Sequence, residues 1–335
     1  MTRLRGTLET QAVRLRAPAS IRWSRDGFQT DTVELAVAGG GLRLSAEREA
    51  DAIAATASAT ALPAALAALI EPRLDLAGRV SGQLRVAGPL RQPSIDLALT
   101  AEGVRPRDMR QEDFAGLSLT ADLRQGADGT RLRLTAKGAQ STTATAELTG
   151  PALVSLDPLR AALPPEARID GRIEAAGRLD QLDRIVGLGA DRLGGRIAAT
   201  ARLSGTLAQP ELEGEMTLAE GMYEGVATGT VIRNASARVT FTGNEARLAS
   251  FSAGDGNGGS LSGSGTLAFG SPSAAISNLT VRLDRFAALR RPEIDLLATG
   301  VLALRGRLQA PKLAGTLSVD RAEFRIPDRL PEDVI

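Results

Sequence analysis

The sequence contains neither cysteine nor histidine in its 335 residues. Without cysteine there can be no disulfide and no thiolate metal ligand. Histidine is the most common general base and a frequent metal ligand, so its absence argues against hydrolase and zinc chemistry. We therefore predict no catalytic residue, no metal site and no cofactor, and we interpret the chain as non-enzymatic.

Aromatic residues are also scarce, at 3%, although hydrophobic residues make up 43% of the chain. Leu, Ala, Val and Ile supply most of the apolar content, which is enough to bury a core and argues against disorder. The 40 basic residues nearly balance the 39 acidic ones. This balance gives no reason to expect nucleic-acid binding. We interpret the single tryptophan, Trp23, as a packing residue.

Long hydrophobic runs are missing as well. The longest apolar stretch, residues 61–70, contains Pro63. It is also shorter than the ~20 residues that a membrane-spanning helix requires. The first residues do not resemble a signal peptide. The sequence therefore predicts neither a spanning helix nor a cleaved leader.

The sequence does contain a persistent two-residue period of apolar and polar side chains. In residues 278–284, leucine or valine occupies every second position, and Asn, Thr, Arg and Asp occupy the others. Such alternation predicts strands with one apolar and one polar face, which occur mostly in antiparallel meanders. Glycine-rich turn signals separate the strands at residues 38–41, 126–129, 243–245 and 254–259. The last of these occurs only once, so we expect a flexible turn there and no calcium site.

A longer repeat of the form Gly-x-Leu-x-x-Pro-x-(Ile/Leu) is superimposed on this alternation. Its copies begin at Gly88, Gly205 and Gly306, and a degenerate copy without the proline begins at Gly171. The glycine allows a tight turn, and the proline ends a ladder where no N–H donor is needed. Each copy therefore predicts a strand, a short turn and a second strand.

Short helical patches are predicted before the repeat strands, at residues 62–70, 157–163, 182–188 and 285–289. Proline near the start of the first two patches suits the first turn of a helix. We expect such helices to cover an end or an edge of a sheet.

These motifs, taken in order, resemble the TamB/AsmA-like family of bacterial envelope lipid-transport proteins. The resemblance is carried by residues 203–221, 258–267 and 300–319, and by Ile326-Pro-Asp-Arg-Leu-Pro331. It is strong over about residues 190–335 and looser over residues 60–190.

The resemblance also gives a predicted domain organisation. Residues 1–60 form a strand segment, and residues 61–190 form helix-plus-strand repeats. Residues 191–335 form the incomplete start of a TamB C-terminal-like β domain. The fold that the resemblance implies is all-β: an elongated, curled antiparallel sheet, or β-taco, that forms an open groove with an apolar concave face and has a few short capping helices.

Function and partners are implied by the resemblance in the same way. Family members are anchored in the inner membrane, cross the periplasm and are implicated in moving phospholipids towards the outer membrane. The implied partners are phospholipids and, for TamB, an insertase-type outer-membrane barrel, TamA. We expect the membrane anchor and the region that contacts TamA to lie outside this chain. A periplasmic localisation follows from the same resemblance.

The function expected from this resemblance is a lipid-transfer bridge segment that holds acyl chains in a hydrophobic groove. Two alternatives remain open: an assembly factor for outer-membrane barrels, and a closed β-solenoid of structural or adhesin type. Glycines on the inner face, such as Gly214, Gly263, Gly265 and Gly315, would leave room for chains or sharpen the curvature. The residues predicted to line the groove are apolar members of the alternating strands: Leu84, Val86, Ile95, Leu97, Leu99, Leu132, Leu134, Leu203, Leu212, Met216, Leu218, Val239, Phe241, Leu267, Phe269, Leu279, Val281, Leu283, Leu302, Leu304, Leu313, Leu317 and Val319.

Overall fold

The chain divides into two compact units, and the strands in both pair antiparallel. One unit contains residues 1–174 and 203–208, and the other contains residues 175–202 and 209–335. The computed structural model describes residues 5–8, 11–69, 74–110, 114–139, 141–151, 154–161, 164–181, 191–268, 275–307 and 310–325.

Strands account for most of the described residues. Those before residue 162 are β1 (Arg5–Leu8), β2 (Gln11–Leu15), β3 (Ile21–Trp23), β4 (Gly27–Thr30), β5 (Val33–Val37), β6 (Gly40–Glu49), β7 (Ala52–Pro63), β8 (Leu76–Pro89), β9 (Ser94–Pro106), β10 (Leu117–Gly126), β11 (Gly129–Lys137), β12 (Thr143–Gly150), β13 (Val154–Leu156) and β14 (Leu159–Ala161). Those after residue 164 are β15 (Asp170–Arg178), β16 (Arg192–Gly205), β17 (Pro210–Gly225), β18 (Thr230–Thr242), β19 (Glu245–Gly254), β20 (Ser260–Ala268), β21 (Ala275–Arg290), β22 (Ile294–Arg307) and β23 (Ala310–Phe324).

In the first unit, β6 to β12 form a meander in which each strand pairs antiparallel with the next. The other edge of β6 pairs with β5 along one part of its length and with β4 along another. Strand β5 also pairs with β2, and β4 also pairs with β3. The turn between β5 and β6 places Ala38 and Gly39 at positive φ, which is the geometry that joins twisted strands in a tight hairpin.

In the second unit, β17 to β23 form an equivalent antiparallel meander. Among the described strands of each unit, the two ends of the meander do not pair with each other, so both sheets are open. The predicted all-β, open antiparallel fold is therefore confirmed. A closed β-solenoid is wrong for this chain.

The Gly-x-Leu-x-x-Pro repeat marks the turns between long strands, as predicted. Strand β8 ends just after Gly88, β16 ends at Gly205, and β22 ends just after Gly306. The φ angles of these three glycines are 101°, 90° and 103°, respectively. A residue with a Cβ rarely adopts this conformation, which explains why glycine begins each copy.

The predicted helices are mostly absent from the described residues. The patch at residues 62–70 is confirmed as a 3₁₀ helix, Ala64–Leu69. The patch at 157–163 is wrong, because β13 and β14 pair there as a hairpin. The patch at 285–289 is also wrong: it belongs to β21, where Phe286 and Ala287 pair with β22. Both patches are too short to hold a helix against strand pairing. The patch at 182–188 lies outside the described residues.

Candidate functional site: an apolar lining in each unit

One face of the meander β17 to β23 carries apolar residues in rows that cross the sheet. Residues directly opposite one another in paired strands lie on the same face, so the pairing register defines each row. We call this face the second-unit lining. Its rows are Met216, Val239, Leu248, Gly265, Leu279, Leu304 and Leu313; Leu218, Ala237, Phe251, Gly263, Val281, Leu302 and Gly315; Gly214, Phe241, Ala246 and Leu267; and Ala253, Leu261, Leu283, Gly300 and Leu317.

The first unit has a matching face, which we call the first-unit lining. It crosses strands β5 to β12, and leucine dominates it. Its rows are Val33, Leu44, Ala57, Leu84, Leu97, Leu123, Leu132 and Leu148; Leu35, Leu42, Ala59, Gly82, Leu99, Ala121, Leu134 and Ala146; and Ala46, Ala55, Val86 and Ile95.

The opposite face of each sheet is mostly polar, although Val301, Ala303 and Ala314 form a small apolar patch on that face of β22 and β23. In the first unit, one of its rows is a ladder of hydroxyl side chains, namely Ser81, Thr100, Thr120, Thr135 and Thr145. Exposed ion pairs join charged residues, such as Arg43 with Glu34 at 3.0 Å, Arg133 with Glu147 at 2.6 Å and Arg238 with Glu215 at 3.9 Å. Such pairs add little stability, but they keep this face hydrated.

The apolar linings are only partly covered. Most of their large side chains are half-buried, including Leu84 and Leu304. On β23 they are exposed, at 63% for Leu313, 46% for Leu317 and 58% for Val319. Contiguous apolar surface that is left accessible usually marks an interaction site.

Glycines on the second-unit lining lie where the backbone of the neighbouring strand occupies the space that a Cβ would need. A Cβ added to Gly265 would lie 2.6 Å from Cα of Leu279, and one added to Gly315 would lie 2.9 Å from Cα of Leu302. Real Cβ atoms essentially never come so close. The sheet therefore bends towards its apolar face at these positions, which only glycine allows.

One end of the second-unit lining is closed. There, Thr230 Oγ1 donates a hydrogen bond to Ala288 O at 2.7 Å, and Arg290 N donates to Thr228 O at 3.0 Å. These bonds connect the start of β18 to the end of β21 across two intervening strands. Beneath them lies a packed core of small and large apolar residues, namely Ala235, Ala253, Leu261, Leu283 and Phe286. A filled core therefore exists at this end of the face, and four residues of the neighbouring row, Leu218, Phe251, Val281 and Leu302, pack against it while staying partly exposed.

A buried carboxylate fastens the closed end. Asp255 lies in the turn between β19 and β20 and is 2% exposed. Its Oδ1 accepts from the N–H groups of Asn257 at 2.7 Å and Gly259 at 2.9 Å. Its Oδ2 accepts from Ala287 N at 3.1 Å. Burial alone would raise the pKa of Asp255, but these N–H donors and nearby Arg290 outweigh burial and lower it.

We expect Asp255→Asn to destabilise the second unit by about 1–3 kcal/mol, because its amide leaves a buried N–H unpaired. A carboxylate whose pKa is lowered on folding stabilises the fold above its unfolded pKa, and that contribution is lost as pH falls through the folded pKa. The difference between variant and parent should therefore be full at neutral pH and shrink in acid. Urea unfolding at a series of pH values measures it. Asp284→Asn, at an exposed position of β21, is the control, and equal losses in both variants would contradict the assignment.

The first-unit lining is closed at one end by a comparable device. Gln125 is 4% exposed, and its amide donates to the carbonyls of Pro93 at 3.1 Å and Val154 at 3.0 Å. Its Oε1 accepts from Val154 N at 2.9 Å. These bonds, and one from Leu156 N to Leu90 O at 2.7 Å, hold the hairpin β13–β14 beside buried Leu90. A single buried polar side chain thus anchors the covering segment in each unit.

The first unit also has a cavity of about 600 Å³ on its polar side. Polar-face residues such as Arg85, Asp96 and Arg124 contribute to its wall together with Leu97. Arg124 lies 3.9 Å from Asp96, and both side chains are more than half exposed. The cavity is therefore a hydrated depression without the enclosed, convergent polar groups of a small-molecule site.

Except for Leu203, the predicted groove residues that the structure describes lie on these two linings. Leu212 joins the second-unit lining by alternation with Gly214 on β17. Leu203 lies on β16, outside the rows defined above. Phe269 lies outside the described residues. Sequence reasoning missed lining residues such as Leu123 and Leu248, which their own alternation with polar neighbours could have revealed. The role of all these residues as lipid contacts stays a prediction.

The family model of the TamB C-terminal domain matches residues 247–333, which contain most of the second-unit lining. This match confirms the resemblance to the TamB family seen in the sequence. No curated protein matches the chain. No solved structure matches it either.

Two further features concern membranes and metals. No helix in the described ranges is long and apolar enough to cross a membrane. Within the same ranges, Asp and Glu residues form no cluster that could hold a metal ion.

The predicted division of the chain into domains at residues 60 and 190 stays a prediction.

Proposed function

We propose that this chain is a non-enzymatic segment of a periplasmic lipid-transfer protein and that its linings hold phospholipid acyl chains. The observation that carries the proposal is the set of apolar rows that cross the strands of each unit. These rows leave one face of each open sheet apolar and partly accessible to solvent. The TamB C-terminal match supports the same role, because that family belongs to the bacterial envelope.

The energetics favour such a surface as a path for lipid. Each CH₂ group exposed to water costs about 0.8 kcal/mol, so an acyl chain gains several kcal/mol by lying on an apolar face. A lining of Leu, Val and Phe offers this gain at every row without a specific polar contact. An acyl chain can therefore move from row to row past similar side chains, while the lipid head group stays in water at the edge of the lining.

Native mass spectrometry of the protein purified from bacterial envelopes tests the proposal. We expect masses of bound phospholipid that disappear after delipidation and return when phospholipid is added. The same protein should also carry fluorescent phospholipid between vesicles. Protein that binds no phospholipid in either state would contradict the proposal.

A second candidate function, an assembly factor for outer-membrane barrels, is favoured by strand β23. In the described part of the second unit, β23 pairs only with β22, and its apolar residues are exposed. An open strand edge can accept a client strand. The double variant Thr316→Lys and Ser318→Lys, on the outward face of β23, should hinder the addition of a client strand. Loss of barrel assembly with phospholipid binding retained would favour this function over lipid transfer.

A further inference from the structure

The hairpin of β3 and β4 carries the most exposed large apolar side chain of the described residues. Trp23 is 75% exposed, and its ring packs on that of Phe28 at a centroid distance of 5.4 Å. Ile21, two residues earlier on the same face, is 49% exposed. Trp23 therefore packs on Phe28 at the surface of the sheet and contributes little to a core. An indole left in contact with solvent is typical of a surface that binds something.

The pairing register places this hairpin on the face of the first-unit lining. Trp23 lies opposite Phe28, and Phe28 lies opposite Arg48 on β6. Arg48 shares its face with Leu44, four residues earlier on the same strand, because alternation is unbroken from Gly41 to Glu49. The aromatic pair therefore extends the apolar lining beyond its leucine rows and ends it in an amphipathic rim.

Charge is separated between the two sides of this rim. Arg48 is exposed on the aromatic side, where its Nε donates to Ala50 O at 3.3 Å. The carboxylates of Glu47 and Glu49 point to the opposite face, because they alternate with Arg48 along β6. Asp31 is occupied by Arg22 at 2.9 Å. The aromatic side thus offers a cation and an indole on either side of Phe28, which suits an anionic group bonded to an apolar body.

We propose that Trp23, Phe28 and Arg48 form a head-group site for a phospholipid whose acyl chains lie on the first-unit lining. Arg48 binds the phosphate, and the indole packs against the glycerol ester region, where apolar chain meets polar head. This inference rests on the proposed function and adds to it a fixed point at which the lipid phosphate is recognised.

Trp23 is the only tryptophan in the sequence, so the tryptophan fluorescence of the full chain reports binding at this site. We expect monomeric dihexanoyl phosphatidylglycerol, added to the full chain below its micelle concentration, to shift the emission of Trp23 to shorter wavelength. Arg48→Gln should weaken this response about tenfold, because a charge-assisted hydrogen bond is lost. A double variant, Phe241→Trp with Trp23→Phe, moves the only tryptophan to the second-unit lining and serves as a second reporter.

The two reporters separate failure of the site from failure of the proposed function. If Phe241→Trp responds to the lipid and Trp23 does not, the head-group site is wrong and the proposed function stands. If neither responds, both are wrong. A Trp23 response that Arg48→Gln leaves unchanged overturns phosphate recognition. A response to phosphatidylglycerol vesicles but not to monomers means that the hairpin binds a membrane surface and overturns the site.

Discussion

Leu304→Asp should weaken phospholipid binding at the second-unit lining roughly a hundredfold, whereas Ala303→Asp should leave it intact. Leu304 lies in a lining row between Leu279 and Leu313. Ala303, its neighbour in sequence, lies on the opposite face between Thr280 and Ala314. A carboxylate beneath an acyl chain must lose water without gaining a partner. A penalty of about 3 kcal/mol for this desolvation lowers affinity roughly a hundredfold.

Lipid extraction and native mass spectrometry of the two variants measure this effect. Leu304 is only half-buried, so the aspartate can reach water in the lipid-free protein and the sheet should still form. Circular dichroism checks that both variants keep their strand content. Equal binding by the two folded variants would contradict an apolar face that carries lipid.

Phe286→Ala should cost about 3–5 kcal/mol of folding free energy, the usual range for a fully buried phenylalanine. Phe286 is 3% exposed and belongs to the packed core at the closed end of the second unit. Phe241→Ala removes the same atoms from a half-buried position on the open part of that lining. Its cost should be about 1 kcal/mol, because part of the ring already faces solvent.

Chemical denaturation monitored by circular dichroism compares the two variants. The contrast tests whether the apolar face is one filled core or a packed end that continues into an open lining. Similar losses of several kcal/mol in both would mean that Phe241 is as enclosed as Phe286. In that case no space would remain for an acyl chain beside it.

The strands and the faces of this protein were predictable because they depend on local sequence. Alternation such as that in residues 278–284 fixes which side chains share a face, and the turn glycines fix where neighbouring strands pair. Gly88 and Gly205 then adopt the positive φ that their place in the repeat demands. Register in an antiparallel meander follows from these two local features.

The closed ends were not predictable, because each depends on partners far apart in sequence. Asp255 accepts a hydrogen bond from Ala287, 32 residues away, and Gln125 holds Val154, 29 residues away. In the sequence, Asp255 belongs to a glycine-rich turn and Gln125 interrupts an apolar pattern. Only the assembled sheet shows that each carries a segment across one end of the lining.

Each lining has one end that is closed by packed residues and a remaining part that is open. In the second unit the core around Phe286 blocks one end, while the rows through Leu279 and Leu267 remain half-open. Under the proposed function, an acyl chain occupies the open rows without disturbing the core that stabilises the fold. The proposed lipid binding and the stability of the fold then depend on different parts of one apolar face.

Photo-crosslinking in cells that make the protein tests the central idea most directly. A photoreactive residue is placed in turn at lining positions Leu84, Val239 and Leu302 and at their outward neighbours Arg85, Thr240 and Ala303. We predict phospholipid adducts at all three lining positions and none at the outward ones, which would repeat the two-residue period of the strands. Outward positions that label as strongly as the lining, or a lining that captures no phospholipid, would contradict this account.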